Sequence, residues 1–589
     1  MKRDYSRRAV LGTTGGLSLT ALVGTRAFQR GPPERDEDSH NDVEGVSLRR
    51  VGRYETGEFD GGAEIVAYDA SRSRLFVVNS GAGQIEVLDV TDPAAPEQAA
   101  VLDAAADVDN GGGANSVDVV GDLVAVAVEN ENPQAAGFVA LYDPSELELL
   151  AVADVGALPD KVTITPDGQY VLSANEGEPA FDESPGSRTD PRGSISIIDV
   201  TRRDAPRVET LDFTPFDDDI DALRAEGVRV YGASAAVEDP RPSTDFEPEF
   251  VTVTPDSGTA YVSLQENNAV ARVDIQRAEI AEISGLGFKD FSLPGNELDT
   301  SDADAGDEDV ISFQNWPVKG MYQPDGIRAY EVAGRQYLIT ANEGDSRDYE
   351  VSTVSDLSLA DDAFAPRLSE NPFVDSVEAL KRPENLGNLE VTNQLGDHDN
   401  DGQFEELYLF GTRSFAIWEA TDNGLQLVFE SGNELPKRYA EQFPAGFQGA
   451  TSGGPQTEGI EIGQVGDRTF AFVGIERGSG IFVYDVTTPA NPRYIQTVVN
   501  RDFSIGFGDL AENPESPGRG GDFSPEGLEF ISADGSPTNN PLFAAGYEVS
   551  GTVALFEVTP LPEDAAAAEN GPGVGRGRGN DADDSEDED

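Results

Sequence analysis

Residues 397–403 read Asp-His-Asp-Asn-Asp-Gly-Gln, the D-x-D-x-D-G order of a calcium loop. Carboxylate oxygens at alternate positions suit a hard cation, and Gly402 supplies the sharp turn between them. Asp397, Asp399, Asp401 and Gln403 are the expected ligands, with Glu405 or Glu406 available downstream. Tyr408 stands where the twelfth-position Glu of an EF-hand would be, and strand-like sequence flanks the loop, so this is an isolated calcium loop rather than a helix–loop–helix site. A looser acidic run, residues 299–307, is either a second such loop or a solvated one.

A second source of chemistry is spread along the chain. Glu64, Asn115, Asp160, Glu249, Asp325, Glu458 and Glu526 each stand at the start of a short strand-like run. Glu129, Glu176, Glu266, Glu343, Glu476 and Glu548 each follow the next run. If the repeats form a ring, equivalent positions converge on one mouth of a central channel. Crowded like charges are costly unless a cation neutralises them, and a hard cation prefers oxygen ligands. Calcium is therefore the expected cofactor, structural or catalytic, with Glu176, Glu266, Glu343 and Glu476 as ring ligands. A salt-screened acidic surface is the alternative.

The elements that must position these side chains are short strands. Residues 63–69, 74–79 and 84–90 are apolar or alternating runs separated by Gly, Asp and Ser turns, the signature of a strand meander. The pattern returns at 159–176 with 194–200, at 248–275, and near Asn115, Asp325, Glu458 and Glu526, with a less regular copy at 405–419. Thr165-Pro166-Asp167-Gly168 combines a fixed proline φ with a glycine able to take positive φ, as a tight hairpin needs. Such sheets cannot bury both faces alone and stack radially. The predicted fold is all-β: a single seven- or eight-bladed β-propeller over residues 48–558, with disordered termini. Residues 48–59 are placed to complete the last blade and close the ring. A β-solenoid is the runner-up.

Composition narrows the function classes. The 110 acidic and 41 basic side chains leave a formal charge of −69, and only six of the basic residues are lysines. Self-repulsion of that size is screened in concentrated salt, where the Debye length falls to about 3 Å at 1 M, so the chain reads as halophilic. The same field excludes nucleic acid and anionic membranes as partners. With no cysteine and only His40 and His398, a disulfide framework, a Ser-His-Asp triad and a His-rich zinc site are all disfavoured.

Arg7-Arg8 ahead of a weakly apolar, Gly/Thr-rich stretch reads as a twin-arginine export signal over residues 1–27, with cleavage after Ala27; an uncleaved anchor is the alternative. Residues 28–47 read as an acidic linker and 559–589 as a disordered acidic tail. No apolar span of about 20 residues occurs, so no transmembrane segment is expected in the mature chain. A monomer, extracellular or displayed at the cell surface, is expected.

Several longer motifs resemble the choice-of-anchor I family: residues 59–90, Asn175-Glu176-Gly177-Glu178-Pro179, Gln265-Glu266-Asn267-Asn268, Gly287-Phe288-Lys289-Asp290, Asn315-Trp316-Pro317, Ala341-Asn342-Glu343-Gly344-Asp345 and Asn500-Arg501-Asp502-Phe503. That family looks related to mesenchyme-specific cell-surface glycoproteins. The resemblance implies a secreted or surface propeller of the YVTN/quinoprotein-like type, and some relatives are described as atypical alkaline phosphatases or linked to phytase-like esterases. Phe291 departs from an expected His, which weakens histidine-based chemistry. Gln456 replaces an expected acid, removing one metal ligand.

Two functions stay open on these residues. One is a non-catalytic surface or matrix propeller that binds calcium, a partner protein or a glycan. The other is a calcium-dependent phosphoesterase acting on a phosphate ester, in which the ring carboxylates hold the ion and Lys289, Arg347, Arg413 and Arg477 face the phosphate. Gly111-Gly112-Gly113 follows no βαβ pattern, so a nicotinamide-dependent oxidoreductase finds no support.

Overall fold

Strands such as Arg74–Asn79, Leu123–Asn130 and Arg468–Ile475 are apolar along nearly their whole length rather than alternating, because sheets pack against both of their faces. Outer strands such as Glu97–Leu102 and Arg207–Asp212 are mostly exposed and carry charges, which blunts their open edges. The computed structural model describes residues 43–181, 188–231, 240–300, 311–347, 350–368, 374–452 and 454–562. The export signal, most of the linker, residues 301–307 of the looser acidic run and the tail from residue 563 lie outside the described residues.

Among the described residues there are seven four-stranded antiparallel sheets. Their innermost strands are Val66–Asp69, Gly111–Val120, Pro159–Ile164, Pro248–Val253, Ile327–Val332, Thr457–Val465 and Pro525–Ile531. Each packs against the next in this order, and Pro525–Ile531 packs against Val66–Asp69, so the sequence of sheets closes on itself. The chain is a β-propeller. The closing sheet takes its outer strand from the other end of the chain: Gly45–Glu55 pairs antiparallel with Thr552–Leu561. The strand begins within the expected linker and its partner runs past residue 558, so the propeller is slightly longer at both ends than its repeats suggest.

Two backbone devices shape the inner wall. The first is a β-bulge at the carboxylate-bearing position. Register shifts fall between Pro159 and Lys161, Pro248 and Val251, Thr457 and Ile460, and Pro525 and Leu528, and on either side of Ala114. A bulge frees a residue from the ladder and re-aims its side chain. That residue is Asp160, Glu249, Glu458, Glu526 or Asn115, according to the sheet.

The second device is a glycine after the carboxylate. A Cβ on Gly326 would lie 2.5 Å from the Glu458 carbonyl oxygen; on Gly459, 2.1 Å from that of Glu526; on Gly527, 2.1 Å from that of Glu64. Each glycine admits the backbone of the next sheet, so the acid–glycine pairs dovetail around the ring. Gly527→Ala is expected to destabilise the fold by about 3 kcal/mol, the upper end of overpacking costs, because backbone rather than a flexible side chain must move. Denaturant unfolding of the variant checks this.

The fifth sheet is interrupted. Its strands are Ile327–Val332, Arg335–Asn342, Ser414–Thr421 and Gly424–Glu430, so the irregular repeat at 405–419 supplies its third strand instead of a separate blade. The intervening residues join those before Ile327 in a five-stranded sheet ordered Phe288–Asp290, Lys319–Met321, Tyr408–Leu409, Glu390–Thr392 and Val351–Thr353. This insertion has its own core around Phe291, Trp316, Leu380 and Leu389. Phe291 is thus a core residue.

Candidate metal centre

The bulges and glycine pairs deliver the first acidic set to one place. Glu64, Asn115, Asp160, Glu249, Asp325, Glu458 and Glu526, one from each of the seven sheets, line a single cavity of about 530 Å³. Glu343, Asp345 and Glu548 join them. Carboxyl oxygens of Asp325, Glu343 and Glu458 lie within 4.8 Å of one another, and so do those of Glu458, Glu526 and Glu548. Glu458 belongs to both trios. A third trio at the same spacing is Glu176, Glu247 and Glu266.

The electrostatics are those of carboxylates short of counter-charge. Burial pushes Glu64 up to about 8 and Glu266, Asp325 and Glu548 up to about 7, with nearby carboxylates adding to the effect at each. Burial also pushes Asp160 up to about 6, against the opposing charge of Lys161. Glu176, Glu247, Glu249, Glu343, Glu458 and Glu526 are held well above the usual carboxylate range for the same leading reason. One oxygen each of Glu249, Glu458 and Glu476 is buried with no hydrogen-bond partner. Buried acceptors are ordinarily satisfied, so these oxygens point to an absent donor or cation.

The profile of the choice-of-anchor I domain matches residues 64–489. The chain belongs to the choice-of-anchor I domain family. Among curated proteins, the mesenchyme-specific cell surface glycoprotein of Strongylocentrotus purpuratus is 26% identical over 306 residues, 45% of this chain and 38% of that protein. Gigasin-3a of Magallana gigas is 24% identical over 205 residues, 32% of this chain and 70% of that protein. The chain thus spans well under half the length of the sea-urchin relative. Solved structures that resemble it include Kuenenia stuttgartiensis hydrazine synthase, with a TM-score of 0.41 at 12% identity over 85% of this chain and 96% of that one. The Myceliophteria thermophila Cps50 (Swd1) β-propeller domain gives 0.40 at 10% identity over 87% and 99%.

The remaining acidic positions of this choice-of-anchor I domain divide. In the 397–405 loop, carboxyl oxygens of Asp397, Asp399 and Glu405 gather within 4.8 Å. Asp401 is not part of that group: its carboxylate accepts from the Gln403 backbone at 2.8 Å and from the Gln403 side-chain amide at 3.1 Å. Glu406 is held by Lys319 at 2.8 Å. In the ring, Glu476 pairs with Arg477 at 3.1 Å and stays outside the trios. Glu129 sits beside Gly112 and Gly113, also outside them.

The four expected phosphate clamps are not equivalent. Lys289 is buried against Glu430 at 2.9 Å and donates to the Thr412 and Gly432 carbonyls, a structural tie of the insertion to the fifth sheet. Arg347 is buried on Asp245 at 3.2 Å and Glu247 at 2.8 Å, above the Tyr231 ring. Neither is presented to a phosphate, because each charge is already matched by a carboxylate within the fold. Arg413 and Arg477 border a separate cavity.

Sequence reasoning missed Glu247, Asp345, Lys161 and Arg328. Glu247 has no acidic counterpart at the other strand starts, so periodicity could not flag it; Asp345 has one in Glu178, since Asn175-Glu176-Gly177-Glu178 and Asn342-Glu343-Gly344-Asp345 run in step. Lys161 and Arg328 lie below the acidic mouth, both against the Phe250 ring at 4.3 and 4.9 Å. They separate the mouth from a further cavity bordered by Asp118, Glu461 and Glu529, with Arg328 Nε donating to Glu461 at 2.7 Å. Their signal was available: they occupy inner-strand positions one and three residues beyond Asp160 and Asp325.

Proposed function

We propose that this choice-of-anchor I domain is a secreted or surface-displayed propeller that binds divalent cations, calcium foremost, at its channel mouth. The observation that carries the reading is the pair of trios sharing Glu458, set in a cavity where buried oxygens lack partners. Carboxylates from different sheets form an irregular oxygen cage, which suits the 6–8 coordination of calcium better than the strict octahedron of magnesium. Asp397, Asp399 and Glu405 are proposed as a separate, exposed calcium site. The family and its cell-surface relative support an extracellular setting, Arg7-Arg8 supports twin-arginine export, and the charge of −69 supports life in concentrated salt. No helix among the described residues is long and apolar enough to cross a membrane.

Calcium titration of chelator-stripped protein in high salt tests the reading. Saturable binding is expected, and Glu458→Gln, which takes a ligand from both trios, is expected to weaken it about tenfold or more, or about 1.4 kcal/mol. Absence of binding, or unchanged affinity in E458Q, rejects the mouth as the site. The second reading, a phosphoesterase, is favoured by one observation: Arg413 and Arg477 border a cavity that shares Asp345 with the mouth. The same preparations assayed with p-nitrophenyl phosphate decide between the two. Binding without turnover is expected; turnover abolished by chelation would install the enzyme instead.

A further inference from the structure

Arg413 is a buried guanidinium without an ion-pair partner among the described residues, in a chain with 110 acidic side chains. It is 5% exposed. Its side chain donates to the Phe410 carbonyl, and its Nε is buried with no acceptor. Burial pushes the group down to about 10, against the more distant charges of Glu343 and Glu390. A buried cation left uncompensated is costly, and a structural arginine in so acidic a chain would be expected to take a carboxylate. The backbone adds to the cost, since Arg413 holds a left-handed φ of 53°.

The placement is built by a close crossing of chains. A Cβ on Gly411 would lie 1.7 Å from the Glu343 carbonyl oxygen, and one on Gly344 would lie 1.9 Å from the Gly411 nitrogen. Both glycines have positive φ, at 67° and 92°. Their crossing brings the 410–413 segment against the 343–346 segment, beside a cavity of about 350 Å³. Arg477 borders the same cavity with its side chain half exposed, fixed by Glu476 and by the Gln456 side-chain oxygen at 3.2 Å. Gly454 leaves space beside Arg413, where a Cβ would stand 3.2 Å from Nε.

We propose that the cavity between Arg413 and Arg477 binds an oxyanion of the phosphate, sulfate or carboxylate class. Two guanidiniums from different sheets, one buried and one at the rim, can offer charge-assisted donors to such a group. Asp345 and Glu390 on the cavity wall limit the ligand to a compact anion held at the arginine side. The site adjoins the cation mouth through Asp345 and deepens the second reading above, but anion binding at the arginine side does not depend on turnover or on a bound cation.

The test is calorimetric titration of the full chain with inorganic phosphate, sulfate and acetate, at constant chloride, with and without a chelator. Saturable binding of at least one anion is expected to persist in chelator and to fall about tenfold or more in Arg477→Gln, a half-exposed position where folding is preserved. Arg413→Gln should abolish it, and Gly454→Ala should weaken it. Phosphate and sulfate binding without acetate identifies a tetrahedral oxyanion; binding of all three identifies a carboxylate-compatible pocket. Absence of saturable binding, or unchanged affinity in R477Q, overturns the proposal. So does binding that disappears on chelation, which would assign the anion to a bridging cation in the channel.

Discussion

Stripped of divalent cations, the protein is expected to lose stability as pH rises from about 4.5 to about 8, and calcium is expected to restore it. The sign follows from the direction of the shifts. A carboxyl whose folded pKa is raised binds more protons in the native state than in the unfolded one, so its contribution is fully present below the unfolded value and lost as pH passes the folded value. The unfolded reference is near 4.5 for Glu and 3.8 for Asp, while the folded values reach about 6 for Asp160, about 7 for Asp325 and Glu548, and about 8 for Glu64. A tenfold change in proton affinity corresponds to about 1.4 kcal/mol. Several carboxyls titrate within one cavity, so the combined loss is on the order of 5 kcal/mol. A cation that binds only the ionised ring opposes this loss and releases protons as it binds. Melting temperature against pH, with calcium and with chelator, reads the effect directly. A chelated protein whose stability rises over that range would show that the mouth is not where the unbalanced charge resides.

Removal of the first strand is expected to be more damaging still. A chain beginning at residue 56 lacks Gly45–Glu55 and leaves Thr552–Leu561 as an open edge. It also removes Val46 and Leu48 from a core shared with Phe543 and Phe556. Arg50 and Arg53 hold Asp522 at 2.8 and 2.6 Å, and the Asp522 side chain is fully buried. Leaving a buried carboxylate without its cations costs about 3–5 kcal/mol by itself. Loss of cooperative unfolding, with aggregation through the exposed edge, is the expected outcome on thermal melting and gel filtration. A synthetic peptide of residues 43–56 should restore a cooperative melt, because it replaces the missing ladder in trans. A truncated chain that melts like the full one would show that the ring does not depend on this closure.

Much of the scaffold is legible before any coordinates. The repeat of Glu64, Asp160, Glu249, Glu458 and Glu526 at strand starts marks the inner wall because backbone constraints recur with each sheet. The insertion is less legible. Residues 405–419 resemble a repeat because Ser414–Thr421 is a true propeller strand, but the two strands inward of it in the sheet, Arg335–Asn342 and Ile327–Val332, lie more than seventy residues earlier. The four basic candidates show the same limit. Lys289, Arg347, Arg413 and Arg477 are alike as residue types, yet two are consumed by carboxylates within the fold and two border a cavity.

The sequence by itself determined the all-β repeat, the family and the inward-facing acids, since strand period, turn chemistry and acid–glycine pairs are local properties of the chain. Only the tertiary structure decided which acids meet. Glu247 joins Glu176 and Glu266, Glu458 bridges two trios, and Glu476 turns to Arg477. Coulomb interaction and desolvation depend on distances through space of a few ångströms, and those are set by ring closure, bulges and glycine crossings rather than by spacing along the chain.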